Sequence, residues 1–442
     1  MAKVYIDTLG CPKNLEDSER AAGLLAAEGH ELVREESDAD VIMINTCGFI
    51  EDARRESIDR IFQILPQRDE GKKIIVSGCL TQRYGEELFE ELPEADAMIG
   101  VNDYGKLPGL VSELLGGGET ARRLETGSAE GVLTGPRLAL EGGSATRYLK
   151  IAEGCSNRCS YCAIPMIRGP FRSIPRETVL NEAEKLAGEG AKELILIAQD
   201  VSAYGGDIYG MDANPLPELL KGLCLIEGIR WIRLMYCYEE RITPSLMDIM
   251  AKEEKICPYI DIPLQHCSNR ILKAMNRRST KKGIEDKIAL IRARVPGIAI
   301  RTTLITGFPG ENEDDFAQLE DFVQEQRFER LGVFAFSPEE GTPAADFPDQ
   351  VPEEVARERR ESLMLRQLDI SLEQNGKKVG SVMDALAEES DDEGVYVGRT
   401  AFDAPDIDNS VVFSSESPVA PGEFVRVKII DAMDYDLIGE RI

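Results

Sequence analysis

Three cysteines stand close together near the middle of the chain, with the spacing C-x3-C-x2-C: Cys155, Cys159 and Cys162. No fourth cysteine or histidine follows closely in the sequence, whereas structural zinc sites need four ligands, usually in two close pairs. Cysteine thiolates hold cubic iron–sulfur clusters, and the ligand spacing is diagnostic of the cluster. Three thiolates on one tight loop can hold three irons of a cube and leave the fourth iron open to a small molecule. The alternative is three buried thiols without a metal, but the spacing favours a catalytic cluster.

A second set of three cysteines follows three apolar runs in the first eighty residues, at 4–9, 41–46 and 73–78, and consists of Cys11, Cys47 and Cys79. Continuous apolar runs separated by helical patterns indicate a parallel sheet buried on both faces. Parallel strands point the same way, so their carboxyl ends meet along the edge where open α/β sheets bind ligands. A helix that begins near Asn14 would direct its amino-terminal dipole at the thiolates. We expect the three cysteines to share a metal rather than to be separately packed small residues.

The remaining sequence predicts a barrel, a long helix and a small β-domain. Glycine and small polar residues at 126–146 are typical of a linker. Six strand candidates alternate with helical patterns at 148–151, 194–198, 229–236, 259–264, 298–307 and 331–337. Six strand–helix units predict a partial parallel barrel whose active site lies at the carboxyl ends of its strands. A charged helix starts near Pro352 and ends near Gly376, and the alternating tail that follows predicts a small antiparallel barrel.

Several residues stand at the predicted carboxyl ends of the barrel strands and are candidates for binding a cofactor. Gln199 and Asp200 follow the second strand, and His266 follows the fourth. Gly307 and Gly310 follow the fifth strand, where glycines let the backbone approach a ligand closely. A plain turn is the alternative for the glycines, and a structural hydrogen bond is the alternative for His266. The other cysteines lack cluster spacing and are predicted to be small buried hydrophobes: Cys224, Cys237, Cys257 and Cys267.

Composition restricts the partners of this chain. Its 442 residues carry a net charge of −29, and 15 acidic against 6 basic residues lie in the tail from Lys377. Phosphate contacts supply most of the affinity of RNA-binding proteins, so an acidic tail argues against RNA and favours a basic protein as partner. No apolar run approaches the length of a membrane span. Ten cysteines and a start that runs directly into a strand pattern lead us to expect a reducing compartment, the cytoplasm.

The order of these parts resembles the radical S-adenosylmethionine (SAM) methylthiotransferase family along essentially the whole chain. The C-x3-C-x2-C loop, with aromatic Tyr161 before its third cysteine, resembles the radical SAM signature. Four further motifs resemble the RimO branch of the family: GCPKN at 10–14, IAQD at 197–200, FAFSPEEGTP at 334–343 and DAPDID at 403–408. Two departures, YCYE at 236–239 and Cys267 in place of a common alanine, affect no cluster ligand.

The resemblance implies an α/β protein of three domains: a parallel-sheet α/β domain at 1–130, a partial (β/α)6 radical SAM barrel with its following helix at 145–375, and a TRAM β-barrel at 377–442. It implies two [4Fe-4S] clusters, one on each cysteine set, and SAM bound at the open iron of the cluster on Cys155, Cys159 and Cys162. Tyr161 joins the expected cofactor-binding residues. SAM cleavage would give a 5′-deoxyadenosyl radical that takes hydrogen from the β-carbon of an aspartate in small-subunit ribosomal protein twelve. The other cluster would carry the sulfur, and a second SAM would supply the methyl group.

The resemblance also implies an external electron donor and a sulfur donor, and it leaves two competing functions to test. A tRNA adenosine methylthiotransferase of the MiaB type would have a basic tail, which this chain lacks. A non-catalytic iron–sulfur carrier would not cleave SAM, and such a carrier rarely needs a barrel. Because the cofactors do the difficult chemistry, we expect the protein to supply orientation and exclusion of water.

Overall fold

A computed structural model of the protein describes residues 1–116, 122–140, 144–390 and 394–442. The chain divides into two compact units. The first unit comprises Met1–Gly142, Ala152–Ile174 and Glu339–Thr342, and the second comprises Gly143–Ile151, Pro175–Pro338 and Pro343–Ile442. None of the described helices combines the length and apolar character that crossing a membrane requires.

The amino-terminal part of the first unit is a six-stranded parallel sheet flanked by helices. Its elements are β1 (Lys3–Thr8), α1 (Pro12–Ala27), β2 (Glu31–Leu32), β3 (Val41–Thr46), α2 (Glu51–Ile64), β4 (Lys73–Gly78), α3 (Cys79–Glu91), β5 (Ala97–Gly100), α4 (Leu107–Leu115) and β6 (Arg123–Glu125). The strand order is β2-β1-β3-β4-β5-β6. Val41 and Met43 belong to one hydrophobic core, while Ile42 and Ile44 belong to the core on the opposite face. The predicted sheet, buried on both faces, is confirmed.

The predicted linker forms no helix or strand over residues 126–140, but this stretch is packed against α1. Arg137 pairs with Glu19, and Arg20 donates a hydrogen bond to the carbonyl of Gly135 at 2.8 Å. A Cβ on Gly23 of α1 would collide with the backbone of Pro136. Residues 141–143 of the predicted linker lie outside the described residues. The small residues at 126–140 therefore allow close packing rather than a loose tether.

The loop with Cys155, Cys159 and Cys162 also belongs to the first unit. It follows β7 (Thr146–Lys150), which belongs to the second unit, and it contains β8 (Ala152–Glu153), α5 (Ile164–Arg168) and β9 (Arg172–Ser173). Strands β8 and β9 pair in antiparallel fashion, Ala152 with Ser173 and Glu153 with Arg172. The two short strands hold the ends of the cysteine loop together.

The second unit contains the predicted partial barrel and the long helix. After β7 its elements are α6 (Arg176–Gly188), β10 (Glu193–Ile197), α7 (Pro215–Cys224), β11 (Trp231–Leu234), α8 (Pro244–Lys252), β12 (Ile256–Asp261), α9 (Asn269–Ala274), α10 (Lys281–Arg294), β13 (Ala299–Thr306), α11 (Glu313–Gln326), β14 (Arg330–Ala335) and α12 (Glu353–Gly376). The strand order is β7-β10-β11-β12-β13-β14, and all neighbours are parallel. All six predicted strands are confirmed, as is the helix that ends at Gly376.

The tail forms a closed barrel of five strands, as predicted. They are β15 (Val382–Ser390), β16 (Val395–Thr400), β17 (Val411–Ser414), β18 (Phe424–Ala432) and β19 (Leu437–Arg441), in the ring order β15-β16-β17-β19-β18. Val425, Val427 and Ile429 of β18 are buried inside it. One pair, β17 with β19, is parallel, whereas an antiparallel barrel was predicted. A closed ring with an odd number of strands cannot alternate direction throughout, so at least one neighbouring pair must be parallel.

A buried network of charged residues joins the tail to the barrel strands within the second unit. Glu193, the first residue of β10, accepts hydrogen bonds from Arg233 at 2.8 Å and from Arg399 at 2.7 Å. The DAPDID segment supplies Asp403, which accepts from Arg330 Nε at 2.9 Å. Its Asp408 accepts from the Tyr259 hydroxyl at 2.7 Å and pairs with Arg301 at 3.3 Å. This sequence motif therefore fastens the small barrel to the strands of the large one.

Candidate iron–sulfur centre

The parallel sheet of the first unit brings the ends of three cysteine-bearing strands to one edge. Strand β3 lies between β1 and β4, with Thr8 paired to Asn45 and Thr46 paired to Gly78. Cys11 is the N-cap residue of α1, and Cys79 is the first residue of α3. Both cysteines therefore stand at a helix amino terminus, as predicted. The helix after Cys47 begins only at Glu51, so this part of the prediction holds for two of the three cysteines.

Asn14 connects the three strand ends. Its amide Nδ2 donates to the carbonyl of Leu9 at 2.8 Å, two residues before Cys11, and to the carbonyl of Thr46 at 3.2 Å, one residue before Cys47. Its Oδ1 lies 3.6 Å from the Cys79 sulfur. The amide of asparagine has two N–H donors for the two carbonyls and one oxygen that can accept from the thiol, so one side chain serves all three contacts. Asn14 thus fixes the spacing of the three thiols through the backbone beside two of them.

Two glycines create space for these cysteines. Gly10 has φ +91°, and a Cβ there would lie 2.8 Å from Cys47 Cβ and 3.2 Å from its Sγ. Gly78 has φ +101°, and a Cβ there would collide with the carbonyl oxygen of Thr46. Both conditions, a left-handed backbone and close approach, restrict these positions to glycine. The geometry of the strand ends therefore requires glycine immediately before Cys11 and immediately before Cys79.

The loop carrying Cys155, Cys159 and Cys162 folds back on itself. The backbone N–H of Cys155 donates to the carbonyl of Gly169 at 3.1 Å, and that of Cys162 donates to the carbonyl of Cys159 at 3.1 Å. Cys155 and Cys159 are buried, and Cys162 is partly exposed. Gly154, at φ +78°, approaches Pro170 so closely that a Cβ would overlap its carbonyl oxygen. The three cysteines therefore lie on one tightly folded segment.

Arg168, at the end of α5, links the cysteine loop to the strand-end cysteines. Its Nη2 donates to Cys79 Sγ at 3.1 Å and to Asn14 Oδ1 at 2.9 Å. Its Nη1 pairs with Asp17 at 2.8 Å and with Glu153 at 3.1 Å. The side chain is 2% exposed, and its pKa is raised well above the ordinary value, because the nearby negative charges, led by Asp17, outweigh the effect of burial. The guanidinium is thus a permanent positive charge beside a cysteine of the other set.

A second arginine contacts the segment that follows Cys47. Arg83 of α3 donates to the carbonyl of Gly48 at 3.0 Å and pairs with Glu339 at 2.8 Å. Arg54 of α2 pairs with the same carboxylate, which is only 4% exposed. The Glu339–Thr342 segment, part of the FAFSPEEGTP motif, is therefore anchored to the helices that follow Cys47 and Cys79. The contact explains why these acidic residues belong to the first unit.

Burial raises the pKa of two of the strand-end cysteines. It raises the pKa of the Cys79 thiol to about 12, against the opposing effect of the Arg168 charge, while Cys11 and Cys47 raise it further. Burial also raises the pKa of Cys47, where the charge of Cys11 acts in the same direction. Metal binding to such thiols must displace their protons.

The two cysteine sets are not arranged around a single metal ion. Among the described residues, no group of three or more histidine, cysteine, aspartate or glutamate side chains is arranged to hold one metal ion. The thiolates of an iron–sulfur cube bind different irons and so stand further apart than ligands that converge on one ion. Each set offers three sulfurs, and the glycine-lined strand ends leave the room described above. Three thiolates in each set match the ligand type of a cube with one open iron, and cluster binding by either set stays a prediction.

Asp200 lies after β10 in the second unit, as predicted, and its side chain binds within the protein. It accepts hydrogen bonds from Ser202 Oγ at 2.6 Å and from the Ala203 backbone at 3.2 Å, and it pairs with Arg241 at 2.6 Å. The carboxylate thereby shapes the loop after the strand. Gln199 and Tyr161 are both partly buried. Cofactor binding by these residues stays a prediction.

His266 is fully buried in the second unit. Its Nδ1 accepts from the Ser268 backbone N–H at 2.9 Å, and its Nε2 lies 3.3 Å from Glu311 Oε2. Glu311 also accepts from the N–H of Gly307 at 3.0 Å and pairs with Arg359 at 2.8 Å. Gly307 and Gly310 both have a left-handed backbone, at φ +74° and +82°. The arrangement fixes the loop after β13, and SAM binding by His266 and the two glycines remains a prediction.

Sequence reasoning missed the polar residues that surround Cys79. Asp17, Glu153, Arg168 and Arg83 are buried, or nearly so, and bind across long sequence separations. One signal was available. The first two turns of α1 are rich in charged residues on every side, and a helix without an apolar face that still follows a buried strand must bury some of its charges.

Comparison with known proteins gives the family. Residues 3–100 match the uncharacterized protein family UPF0004, residues 149–323 match the radical SAM superfamily, and residues 379–442 match the TRAM domain. Relatives named ribosomal protein uS12 methylthiotransferase RimO include those of Clostridioides difficile, 48% identical over 100% of this chain and 99% of the relative. The Geobacter sulfurreducens protein of that name is 46% identical over 100% and 98%.

Solved structures show the same fold at low sequence identity. The radical SAM methyltransferase TsrM from Kitasatospora setae has a TM-score of 0.59 at 14% identity, over 89% of this chain and 80% of that one. The cobalamin-dependent SAM radical enzyme OxsB has a TM-score of 0.56 at 16% identity, over 84% and 58%. With its two cysteine sets, its partial barrel and its closed tail barrel, the chain belongs to the RimO family of radical SAM methylthiotransferases.

Proposed function

We propose that this protein inserts a methylthio group at the β-carbon of an aspartate in ribosomal protein uS12. The name shared by its full-length relatives supplies the substrate. The observation that supports the chemistry is the 3.1 Å contact between Arg168 of the cysteine loop and Cys79 of the strand-end set. A radical enzyme with one cluster has no use for three further thiols held at a sheet edge and joined to its cluster loop.

Two [4Fe-4S] clusters fit the two donor sets. Cys155, Cys159 and Cys162 would hold the cluster that binds SAM, and the strand-end set of Cys11, Cys47 and Cys79 would hold the other. When bound, the first cluster and SAM supply the radical that removes hydrogen from the substrate carbon, and the second supplies the sulfur.

The chain's own residues position these groups. Asn14 fixes the backbone before Cys11 and Cys47. The glycine turns let the strand ends approach one another, and burial of four of the six cysteines limits access of water. Tyr161, Gln199, Asp200, His266, Gly307 and Gly310 are proposed to contribute to SAM binding, directly or by shaping the loops after the barrel strands.

The proposed partners follow from charge and family. The substrate is a basic protein of the small ribosomal subunit, and an external electron donor and a sulfur donor complete the reaction in the cytoplasm. Asp403 and Asp408 of the acidic tail are buried in ion pairs, so these two carboxylates cannot face a partner. We propose domain boundaries at 1–130, 145–375 and 377–442, with the TRAM barrel presenting an acidic surface unsuited to RNA.

The function is tested by offering both candidate substrates to the enzyme. The reconstituted protein, with SAM, reductant and sulfide under anaerobic conditions, is incubated with uS12 and separately with tRNA, and each product is weighed by mass spectrometry. We expect the methylthio mass gain on uS12 only. A gain on tRNA only would show the MiaB-type activity and refute the proposal.

Two variants identify the role of each cysteine set. Cys159→Ala should abolish formation of 5′-deoxyadenosine, while Cys79→Ala should retain it and lose sulfur insertion. An absence of 5′-deoxyadenosine from the fully loaded wild-type protein would instead indicate an iron–sulfur carrier.

A further inference from the structure

Arg168 is a buried cation with two groups of partners. Its Nη1 faces two carboxylates, Asp17 of α1 and Glu153 of β8, and its Nη2 faces Asn14 Oδ1 and Cys79 Sγ. A buried charge is costly unless it is paired and hydrogen-bonded. The two carboxylates offset the cost of burial, and they fix the guanidinium so that its other nitrogen faces the sulfur.

A donor at this position acts on whatever Cys79 binds. Hydrogen bonds to the sulfurs, net charge and solvent exposure set the reduction potentials of iron–sulfur clusters. The reduced cluster carries one more negative charge than the oxidised cluster. A permanent N–H donor and a positive charge at the sulfur of Cys79 therefore favour the reduced form.

We propose that Arg168 is a positioning residue that holds the Cys79 thiolate and raises the reduction potential of the cluster on Cys11, Cys47 and Cys79. The inference rests on the proposed function, because it requires a cluster on these cysteines. The redox step is the transfer of one electron from the external donor to that cluster, and no protein bond forms or breaks. The cysteine loop of the radical centre thus tunes the sulfur-bearing centre through one side chain.

The geometry predicts opposite effects for two substitutions. Arg168→Lys keeps the charge, but a single ammonium cannot reproduce the planar fork that reaches both the carboxylates and the sulfur. It should lower the reduction potential. Asp17→Asn removes a negative charge that offsets the guanidinium, so it should raise the potential. A general loss of structure would not move the two variants in opposite directions.

The potential is measured in the full-length chain with Cys155, Cys159 and Cys162 replaced by alanine, so that only the strand-end set can carry a cluster. Iron and sulfide are counted first. The reduced cluster is then followed by electron paramagnetic resonance during a potentiometric titration, with and without Arg168→Lys or Asp17→Asn. We expect each substitution to change the one-electron equilibrium by about tenfold, which corresponds to a shift of about 59 mV.

Arg233→Lys is the matched control, because Arg233 is equally buried and pairs with Glu193 in the second unit. It should leave the potential unchanged. Unchanged potentials in both test variants, with full iron content, would overturn the inference and leave the proposed function standing. If Arg168→Lys loses its iron, the inference is judged by the Asp17→Asn variant alone. A reduction potential that fails to rise in that variant would overturn the inference. Absence of iron in the alanine background itself would refute the second cluster, and with it the proposed function.

Discussion

At the scale of single residues, neutral and charged side chains near the start of α1 organise the strand-end cysteines. Asn14 and Asp17 lie one turn apart on the helix that Cys11 caps, and both reach partners from other segments. Ion pairs alone would not fix the positions of the three sulfurs, because the attraction between charges depends less on orientation than a hydrogen bond does. The amide of Asn14 supplies the direction, since each of its hydrogen bonds ends beside a different cysteine.

The first prediction concerns Asn14. Replacement by alanine removes the bonds to Leu9 and Thr46, so the strand-end thiols should lose their common geometry. We expect iron to fall from about eight to about four atoms per chain, with 5′-deoxyadenosine formation retained. Iron analysis and a SAM cleavage assay measure both. Asn102→Ala is the control, because Asn102 bonds to the carbonyl of Gly127, and full iron in Asn14→Ala would contradict the assignment.

At the scale of elements, the carboxyl ends of β1, β3 and β4 and the turns that follow them form the candidate centre. Their order could be predicted, because apolar runs of this type make parallel sheets and parallel strands end at the same edge. Their close approach depends on Gly78, where the chain turns directly from β4 into α3.

The second prediction compares two glycines that both have a positive φ but differ in ψ, which is −159° at Gly78 and 5° at Gly71. Gly78, at φ +101°, has no space for a Cβ, whereas Gly71, at φ +90°, has nothing within 4 Å. Gly71→Ala should cost only the left-handed strain of about 1–2 kcal/mol. Gly78→Ala should cost more and displace Cys79, with loss of the strand-end iron. Equal iron contents and thermal unfolding midpoints in the two variants would contradict this view of the turn.

The third prediction concerns Glu193, which joins two elements of the second unit. The isosteric variant Glu193→Gln leaves Arg233 and Arg399 without a counter-charge, which should cost about 3–5 kcal/mol. Trp231, the one tryptophan of the sequence, packs edge-to-face on Phe424 at 4.6 Å, so its fluorescence during urea unfolding reports on this joint. Asp286→Asn, in an exposed pair with Lys282, is the control and should leave the unfolding midpoint almost unchanged.

The contribution of Glu193 should depend on pH. Burial alone would raise its pKa, but Arg399 and Arg233 outweigh burial and lower it to about 2. A carboxylate with a depressed pKa stabilises the fold fully above its unfolded value, about 4.3, and loses this effect as the pH falls toward 2. The difference between wild type and Glu193→Gln should therefore be largest above about pH 5 and shrink below it. A difference that grows on acidification would contradict the ion-pair account.

Particular residues show where sequence reasoning stopped. The six cysteines proposed as cluster ligands and the barrel strands could be predicted from the spacing and periodicity of residues within short stretches of the chain. The contact of Arg168 with Cys79 does not, because it joins residues whose order in the chain says nothing about their distance. The parallel pair of β17 and β19 was missed for a different reason, since strand number and closure must be considered together.

At the scale of the whole molecule, the net charge of −29 over 442 residues sets the long-range field. Many charges are neutralised in buried ion pairs, such as Arg399 with Glu193 and Arg330 with Asp403, so the charge of the surface that a partner meets differs from the charge of the composition. A basic substrate should still be attracted, because steering depends on the summed field.

The fourth prediction concerns ionic strength. Raising it from about 0.01 to 0.15 M shortens the screening length from about 30 to 8 Å, so kcat/KM for uS12 should fall by about tenfold or more. The maximal rate kcat should not change, because the chemistry takes place after binding. Measuring 5′-deoxyadenosine formation without substrate provides the control, and it should be insensitive to salt. A salt-independent kcat/KM would show that charge does not guide this encounter.

The first unit is built from three separate stretches, and the last of them, Glu339–Thr342, is translated roughly 200 residues after the sheet. At about 5–20 residues per second this delay lasts about 10–40 s. During that time the nascent sheet already has its three thiols, while Arg54 and Arg83 still await the carboxylate of Glu339. Iron delivered early would meet an unfinished site, so orderly maturation favours loading of the strand-end set only after the chain has been released.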